Sequence, residues 1–230
     1  MSWISLFSGG KDSTYALMQA LQSGLDVSHL VTVHPAEGSY MYHVPMTELT
    51  QLSARTIGID LIDVDPGNVE CTDVVDSSGQ GDREIVPLED ALADLAPEGI
   101  IVGAVESEYQ HSRITRMADR VGAKVFDPLW QCDPIELGED LVTAGIEIRI
   151  VQVSAGGLDR SWLGRKLDQD ALEELKRLHE SIGIHPLGEG GEYETFVVDG
   201  PHMDRRIEIE YTSVWEGDRG RLEIESASLS

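Results

Sequence analysis

At 230 residues, 41% of them hydrophobic, the chain has enough material for one large core or two modest ones, and none of its apolar runs is long enough to span a bilayer. Its 42 acidic residues against 17 basic ones give a net charge of −25, and only four residues are lysines (Lys11, Lys124, Lys166 and Lys176). That balance disfavours a nucleic-acid track, which needs clustered Lys and Arg, and it predicts a preference for strong, screening salt, as in proteins of salt-loving organisms.

Strand and helix alternate through the first half. Trp3–Phe7 reads as a short apolar strand, followed by a glycine loop and a helix from about Asp12 with Thr14, Leu17, Met18 and Leu21 on one face. Gly24 ends that helix, and Val27–Val33 reads as the next strand. Thr47 is placed to cap a helix carrying Leu49, Leu52 and Ile57, and Leu61–Val64 is again a strand. Asp76–Asp82 reads as a mobile loop before a helix over Arg83–Leu95. Ile100–Val102 (strand), Val105–Val121 (helix) and Val125–Phe126 (strand) close the series.

After Pro128 the pattern changes. Ile146, Ile148 and Ile150 alternate with Glu147 and Arg149, the signature of a half-buried strand, and Asp168 can cap a helix through Ala171, Leu175, Leu178 and Ile182. Ile207–Tyr211 and Leu222–Ile224 flank a turn at Glu216–Gly220 and read as an antiparallel hairpin, with a frayed Ser-Ala-Ser-Leu-Ser tail. The fold class expected is α/β: a Rossmann-like parallel sheet with helices on both faces over residues 1–130, then a smaller α+β domain over 131–230. Cys71 and Cys132, with no CxxC or Cys/His cluster, exclude a disulfide scaffold or zinc site, and with no signal-peptide pattern they fit a reducing cytoplasm.

The first loop carries the chemistry. Gly9 and Gly10 sit between a strand and an amphipathic helix, where the backbone can approach a ligand and the helix N-terminus favours an anion. Ser8, Asp12 and Ser13 flank them and Lys11 adds a charge, so Ser8–Ser13 reads as a cradle for pyrophosphate. Neither the Walker A spacing nor GxGxxG is present.

Ser8-Gly9-Gly10-Lys11-Asp12-Ser13 resembles the SGGxDS loop of the N-type ATP pyrophosphatases, or PP-loop (HUP-type) enzymes, which cleave ATP between the α- and β-phosphates. Ser39–His43, Gly103–Val105 with Ser107, Tyr109, Gln110 and Arg113, then Pro128–Trp130, Gly157–Leu158, Leu163–Arg165 and Gly188–Thr195, in this order, resemble the diphthine–ammonia ligase family. Thr115 and Glu106 depart from that pattern. The resemblance implies ATP and Mg²⁺ as cofactors, with ammonia and the diphthine form of elongation factor 2 as substrates. It further implies adenylylation of the diphthine carboxylate and displacement of AMP by ammonia. By it Ser8–Ser13 and His43 hold ATP; Lys11, Glu189 and Glu192 are catalytic; and Asp12 or Glu189 takes Mg²⁺. Tyr42, Tyr109, Arg113, Gly190, Gly191 and Glu194 contact substrate or join the lobes.

Simpler readings stand beside these. Tyr42 and His43 could pack their loop, Tyr109 and Arg113 could form an inter-lobe contact, and Trp130 could pack at the lobe junction. Arg165 could be a surface charge, and Gly188–Thr195 a solvated acidic turn. At the level of function, a tRNA-modifying ligase of the same superfamily and a non-catalytic ATP-binding module are the alternatives. Oligomeric state is left open, a homodimer included.

Overall fold

The computed structural model describes residues 2–33, 49–64 and 77–230, with side chains from 85 onward in the last stretch. Tyr42, His43 and the cap expected at Thr47 lie outside the described residues.

The first half builds β1 (Trp3–Leu6), α1 (Lys11–Gln22), β2 (Val27–Val33), α2 (Thr50–Ile57) and β3 (Asp60–Val64). It continues with α3 (Ser77–Leu95), β4 (Gly99–Ile101), α4 (Glu108–Val121) and β5 (Lys124–Phe126). Its five strands form one parallel sheet in the order β3-β2-β1-β4-β5, with Ile4 opposite His29 on one side and Ile100 on the other. The central strands are short and apolar because both sheet faces are covered. On one face Ile85, Leu88 and Leu92 of α3 and Ile114 and Met117 of α4 pack on Ile4, Val31 and Ile100. On the other, Leu17 of α1 and Ala54 of α2 pack with Phe7 and Leu30. The strand order reverses direction between β1 and β4, and in such sheets the crevice at their C-terminal ends is where ligands bind.

The second half adds α5 (Pro134–Thr143), β6 (Glu147–Val153), α6 (Gln169–Ile182), β7 (Tyr193–Asp199), β8 (Ile207–Glu216) and β9 (Arg219–Leu229). Here the sheet is antiparallel, in the order β7-β6-β9-β8. Ile148, Ile150 and Val153 of β6 share a core with Leu137 and Leu141 of α5 and Leu175 of α6, and that core runs on to Tyr15, Ala16, Met18 and Ala20 of α1. Helix α1 is thus enclosed between the two sheets and buries eight of its twelve residues. A helix buried on most of its circumference loses the single apolar stripe of a surface helix. That is why Leu21, expected on the buried face, is only partly buried while Tyr15 is buried and Ala16 and Ala20 are fully covered.

Four further expectations change. Helix α3 begins at Ser77, so the loop expected over Asp76–Asp82 is helical from its second residue; the turns after it are anchored by Ile85, Leu88 and Leu92 and carry the helix back. Helix α4 begins at Glu108 rather than Val105, because the Ser107 hydroxyl accepts from the Gln110 N–H (3.3 Å) and fixes the start there. The tail expected to fray is strand: Ser226–Leu229 pair with Glu210–Ile207, and the Ser230 N–H donates to the Arg206 carbonyl. Helix α5 is an addition to the expected elements, although Asp133 caps it through the Ile135 and Glu136 N–H groups and Pro134 stands in its first turn. Among the described residues no helix is long and apolar enough to cross a membrane.

An ion cluster ties β6 to the segment before β8. Both oxygens of Glu147 take guanidinium N–H groups of Arg206 (2.7 Å each), and Arg149 adds two more bonds (2.6 and 3.0 Å). The bonds from Arg206, with those of Arg149, outweigh burial and hold the Glu147 carboxyl at about 2. That lies below an unfolded value near ~4.5, so the stabilisation is complete above about pH 4.5 and is lost as pH falls towards 2. Glu147→Gln is expected to lower the unfolding free energy at pH 7 by about 2 kcal/mol, with the difference closing below about pH 4 in urea titrations.

Candidate active site

A cleft of about 310 Å³ opens at the C-terminal ends of β1, β2 and β4. Its walls come from Leu6–Ser8, Val31–Val33 and Val102–Ala104, and its floor from Gly10–Ser13. Gly188, Glu189, Gly191 and Tyr193–Thr195 close it from the second half of the chain. The two candidate segments of the sequence thus face one another across one space.

Ser8–Ser13 folds on itself. The Ser13 hydroxyl accepts from the Ser8 N–H (3.2 Å) and lies 3.0 Å from the Ser8 hydroxyl. Gly10, at the start of α1, has no side chain to cap the helix; instead the Lys11 N–H donates to the Thr195 hydroxyl, 184 positions away (3.1 Å). The Val197 N–H donates to the Gly9 carbonyl (2.9 Å), so β7 holds the loop at two points. Gly9 has φ +77°, and a Cβ there would come within 2.8 Å of the Phe196 ring. Gly103 lets the β4–α4 connection pass against the first turn of α1: a Cβ there would lie 2.7 Å from the backbone of Asp12 and Ser13. Gly103→Ala is expected to cost about 2 kcal/mol of stability, read by thermal unfolding, and to weaken nucleotide binding, because only a shift of the loop relieves the overlap.

Lys11 is buried, with its Nζ 2.7 Å from Asp12 Oδ2 and 4.0 Å from Glu189 Oε1. Burial acts to lower its pKa, but Asp12, Tyr193 and Glu189 together override it and keep the ammonium charged. Among the described residues that line the cleft it is the one Lys or Arg. Around it the carboxyls are poorly solvated. Burial lifts Glu189 to about 7 against the opposing pull of Lys11, and lifts Glu194 to about 8 in the same way. The Glu189 carboxyl also lies against the backbone N–H of Glu106.

The other anticipated residues fall into two groups. Gly191 and Glu194 line the cleft; Glu192 does not, and its Oε1 instead accepts the His185 N–H (2.9 Å). Gly190 stands beside the Glu192 carboxyl. Tyr109 and Arg113 stack on each other, guanidinium carbon 3.5 Å from the ring centre, outside the cleft lining, while Ser107, Gln110 and Ile114 of the same stretch reach it. Trp130 stacks on His111 (3.8 Å between centres), whose Nε2 is 2.6 Å from Asp127 Oδ2. Arg165 lies over Trp162 and pairs with Glu174 (2.7 Å). Thr195 and Glu106 are not marked by the sequence as site residues, since each acts through a contact distant in sequence; His185 is not marked because it stands outside the glycine–glutamate motif.

The cleft also fits a divalent cation brought in with phosphates. Asp12 Oδ1 is buried with no hydrogen-bond partner while Oδ2 takes Lys11. Among the described residues no three metal-binding side chains converge.

Two family descriptions match the chain: the diphthamide synthase N-terminal domain over residues 1–125 and the diphthamide synthase C-terminal domain over residues 133–229. Proteins named diphthine–ammonia ligase are similar along most of its length. Those of Homo sapiens and Bos taurus are 33% and 32% identical, covering 91% of this chain and 83% of the relative in each case. The relative from Schizosaccharomyces pombe is 31% identical over 96% of this chain, which spans only 38% of that longer protein. A solved structure described as a predicted subunit of tRNA methyltransferase from Methanocaldococcus jannaschii aligns over 81% of this chain and 90% of that one, with a TM-score of 0.41 and 16% identity. With matches on both halves, in order and over nearly all its residues, the chain belongs to the diphthamide synthase family.

Proposed function

We propose that the chain is an ATP-dependent diphthine–ammonia ligase, forming diphthamide on elongation factor 2 with release of AMP and pyrophosphate. The observation that carries this reading is the single cleft in which the Ser8–Ser13 loop meets Glu189 and Glu194. Phosphate binding and acceptor chemistry require such a juxtaposition, and a module that only senses ATP has no use for the half-buried glutamates.

The β- and γ-phosphates of ATP lie against Ser8–Ser13, where the N-terminal end of α1 and the Lys11 ammonium attract them. Lys11 then exchanges part of its contact with Asp12 for the charge that grows on the leaving pyrophosphate. Asp12, with Glu189 as the second candidate, would hold Mg²⁺, which would screen the phosphate charge. The diphthine carboxylate attacks the α-phosphorus, giving an acyl-adenylate; ammonia attacks the acyl carbon and expels AMP. Ammonium must first lose a proton, and carboxyls held near neutrality are suited to accept it. Glu189 at about 7 is the better placed, beside Lys11, and Glu194 at about 8 stands behind it.

We assign residues 1–130 to ATP and 131–230 to the acceptor, and place the reaction in the cytoplasm, where elongation factor 2 works. The test is direct: purified chain, ATP, Mg²⁺, ammonium and diphthine-bearing elongation factor 2 should yield AMP and amide in equal amounts. Pyrophosphate release without amide on that acceptor would sink the substrate assignment and leave the ATP chemistry standing.

A further inference from the structure

The turn that carries Glu189 is organised by a residue outside the glycine–glutamate motif. His185 follows α6, and its Nδ1 faces two backbone donors, the N–H of Leu187 (3.2 Å) and the N–H of Glu189 (3.4 Å). A ring nitrogen that accepts carries a lone pair, so the proton of the neutral imidazole sits on Nε2. Nε2 lies 3.3 Å from Glu106 Oε2, in the β4–α4 connection of the first half. Around the same ring the His185 N–H donates to Glu192 Oε1, the His185 carbonyl accepts from the Gly188 N–H (3.0 Å), and Tyr193 donates to the Pro186 carbonyl (2.7 Å). Burial keeps the imidazole on its neutral side, with the carboxylates of Glu106 and Glu192 pulling the other way and Lys11 and His179 adding to the effect of burial.

Glu189 is therefore held from two directions. Its backbone N–H is fixed by His185, and its carboxyl rests against the Glu106 N–H, the residue that His185 also meets with Nε2. We propose that His185 is a positioning residue for the ligase reaction: in its Nε2–H form it clasps the turn Pro186–Glu189 and sets the Glu189 carboxyl beside Lys11. It touches no reacting atom. A displaced catalytic carboxyl lowers turnover far more than it lowers affinity for a nucleotide gripped by Ser8–Ser13, because the geometry of the reacting groups is what suffers.

The kinetic part of the test rests on the ligase reading; the spectroscopic part does not. In the full chain, His185→Ala is expected to lower kcat for amide formation by about 10- to 100-fold with KM for ATP within about twofold. His185→Asn should recover most of that loss, since an Asn side-chain oxygen accepts from the N–H two residues on, as in an Asx turn. Nitrogen-15 NMR of the wild-type imidazole at neutral pH should show an unprotonated Nδ1 and a protonated Nε2, whether or not the protein turns over. The proposal is overturned if Nδ1 carries the proton, if Asn rescues nothing while the thermal midpoint is intact, or if KM for ATP rises with kcat unchanged. If the wild type makes no amide, the ligase reading falls and the imidazole spectrum alone decides the positioning role.

Discussion

Lys11→Met should lower pyrophosphate release by about 10² to 10³, the usual cost of removing one preorganised group aimed at developing charge. Among the described residues no other Lys or Arg lines the cleft to take its place. Without it, a polyphosphate approaching Ser8–Ser13 meets Asp12 with no ammonium beside it, so both binding and cleavage suffer. Methionine has nearly the same length and fills the same space, which separates loss of charge from loss of packing. Pyrophosphate release at saturating ATP, with a thermal melt as the folding control, measures the effect. Activity within tenfold of wild type in a folded variant would mean the phosphates do not sit at Lys11.

Glu189→Gln should split the two half-reactions. Amide formation is expected to fall about 100-fold, the lower end of general-base contributions, while ATP–pyrophosphate exchange stays near wild type. The wild-type rate of amide formation should climb with pH through about 7, as the Glu189 carboxyl ionises, and that limb should be missing in the variant. Stability moves the opposite way. The folded carboxyl keeps its proton to about 7 whereas the unfolded one releases it at about 4.5, so the cost of this half-buried group is absent below pH 4.5 and grows as pH rises to 7. The glutamine variant is thus expected to melt higher than wild type above pH 7 while making less amide. Equal losses in exchange and in amide formation would instead give Glu189 a part in the adenylylation step.

Local pattern made the parallel sheet legible. The strand at Val27–Val33 and the helix capped by Asp168 stand where residue spacing places them, since short-range periodicity and capping decide both. What sequence did not yield is what depends on burial by a distant partner. The all-round burial of α1 needs the second sheet against it, and the final strand needs β8 beside it, although Ser-Ala-Ser-Leu-Ser looks like a tail. The Asp133–Pro134 pair was a readable signal for α5 that the weak apolar spacing of Ile135, Leu137 and Leu141 masked. In the cleft, the motifs marked which segments meet, but not which carboxylate faces the phosphates. Glu189 and Glu192 look alike in a glycine-rich run, and only the fold turns one to the cleft and the other to the His185 backbone.

The two bonds from β7 to the phosphate loop bear on how this enzyme can be taken apart. Glu194, Thr195 and Val197 lie close together on a single strand: the first faces the cleft, and the other two hold Lys11 and Gly9. A chimera that grafts a foreign acceptor half after residue 130 would import a different strand against this loop and disturb ATP handling even with every residue of 1–130 intact. The exchangeable cassette is narrower than half the chain. It is the turn ahead of Tyr193, spliced so that the native Thr195–Val197 stretch stays with its loop.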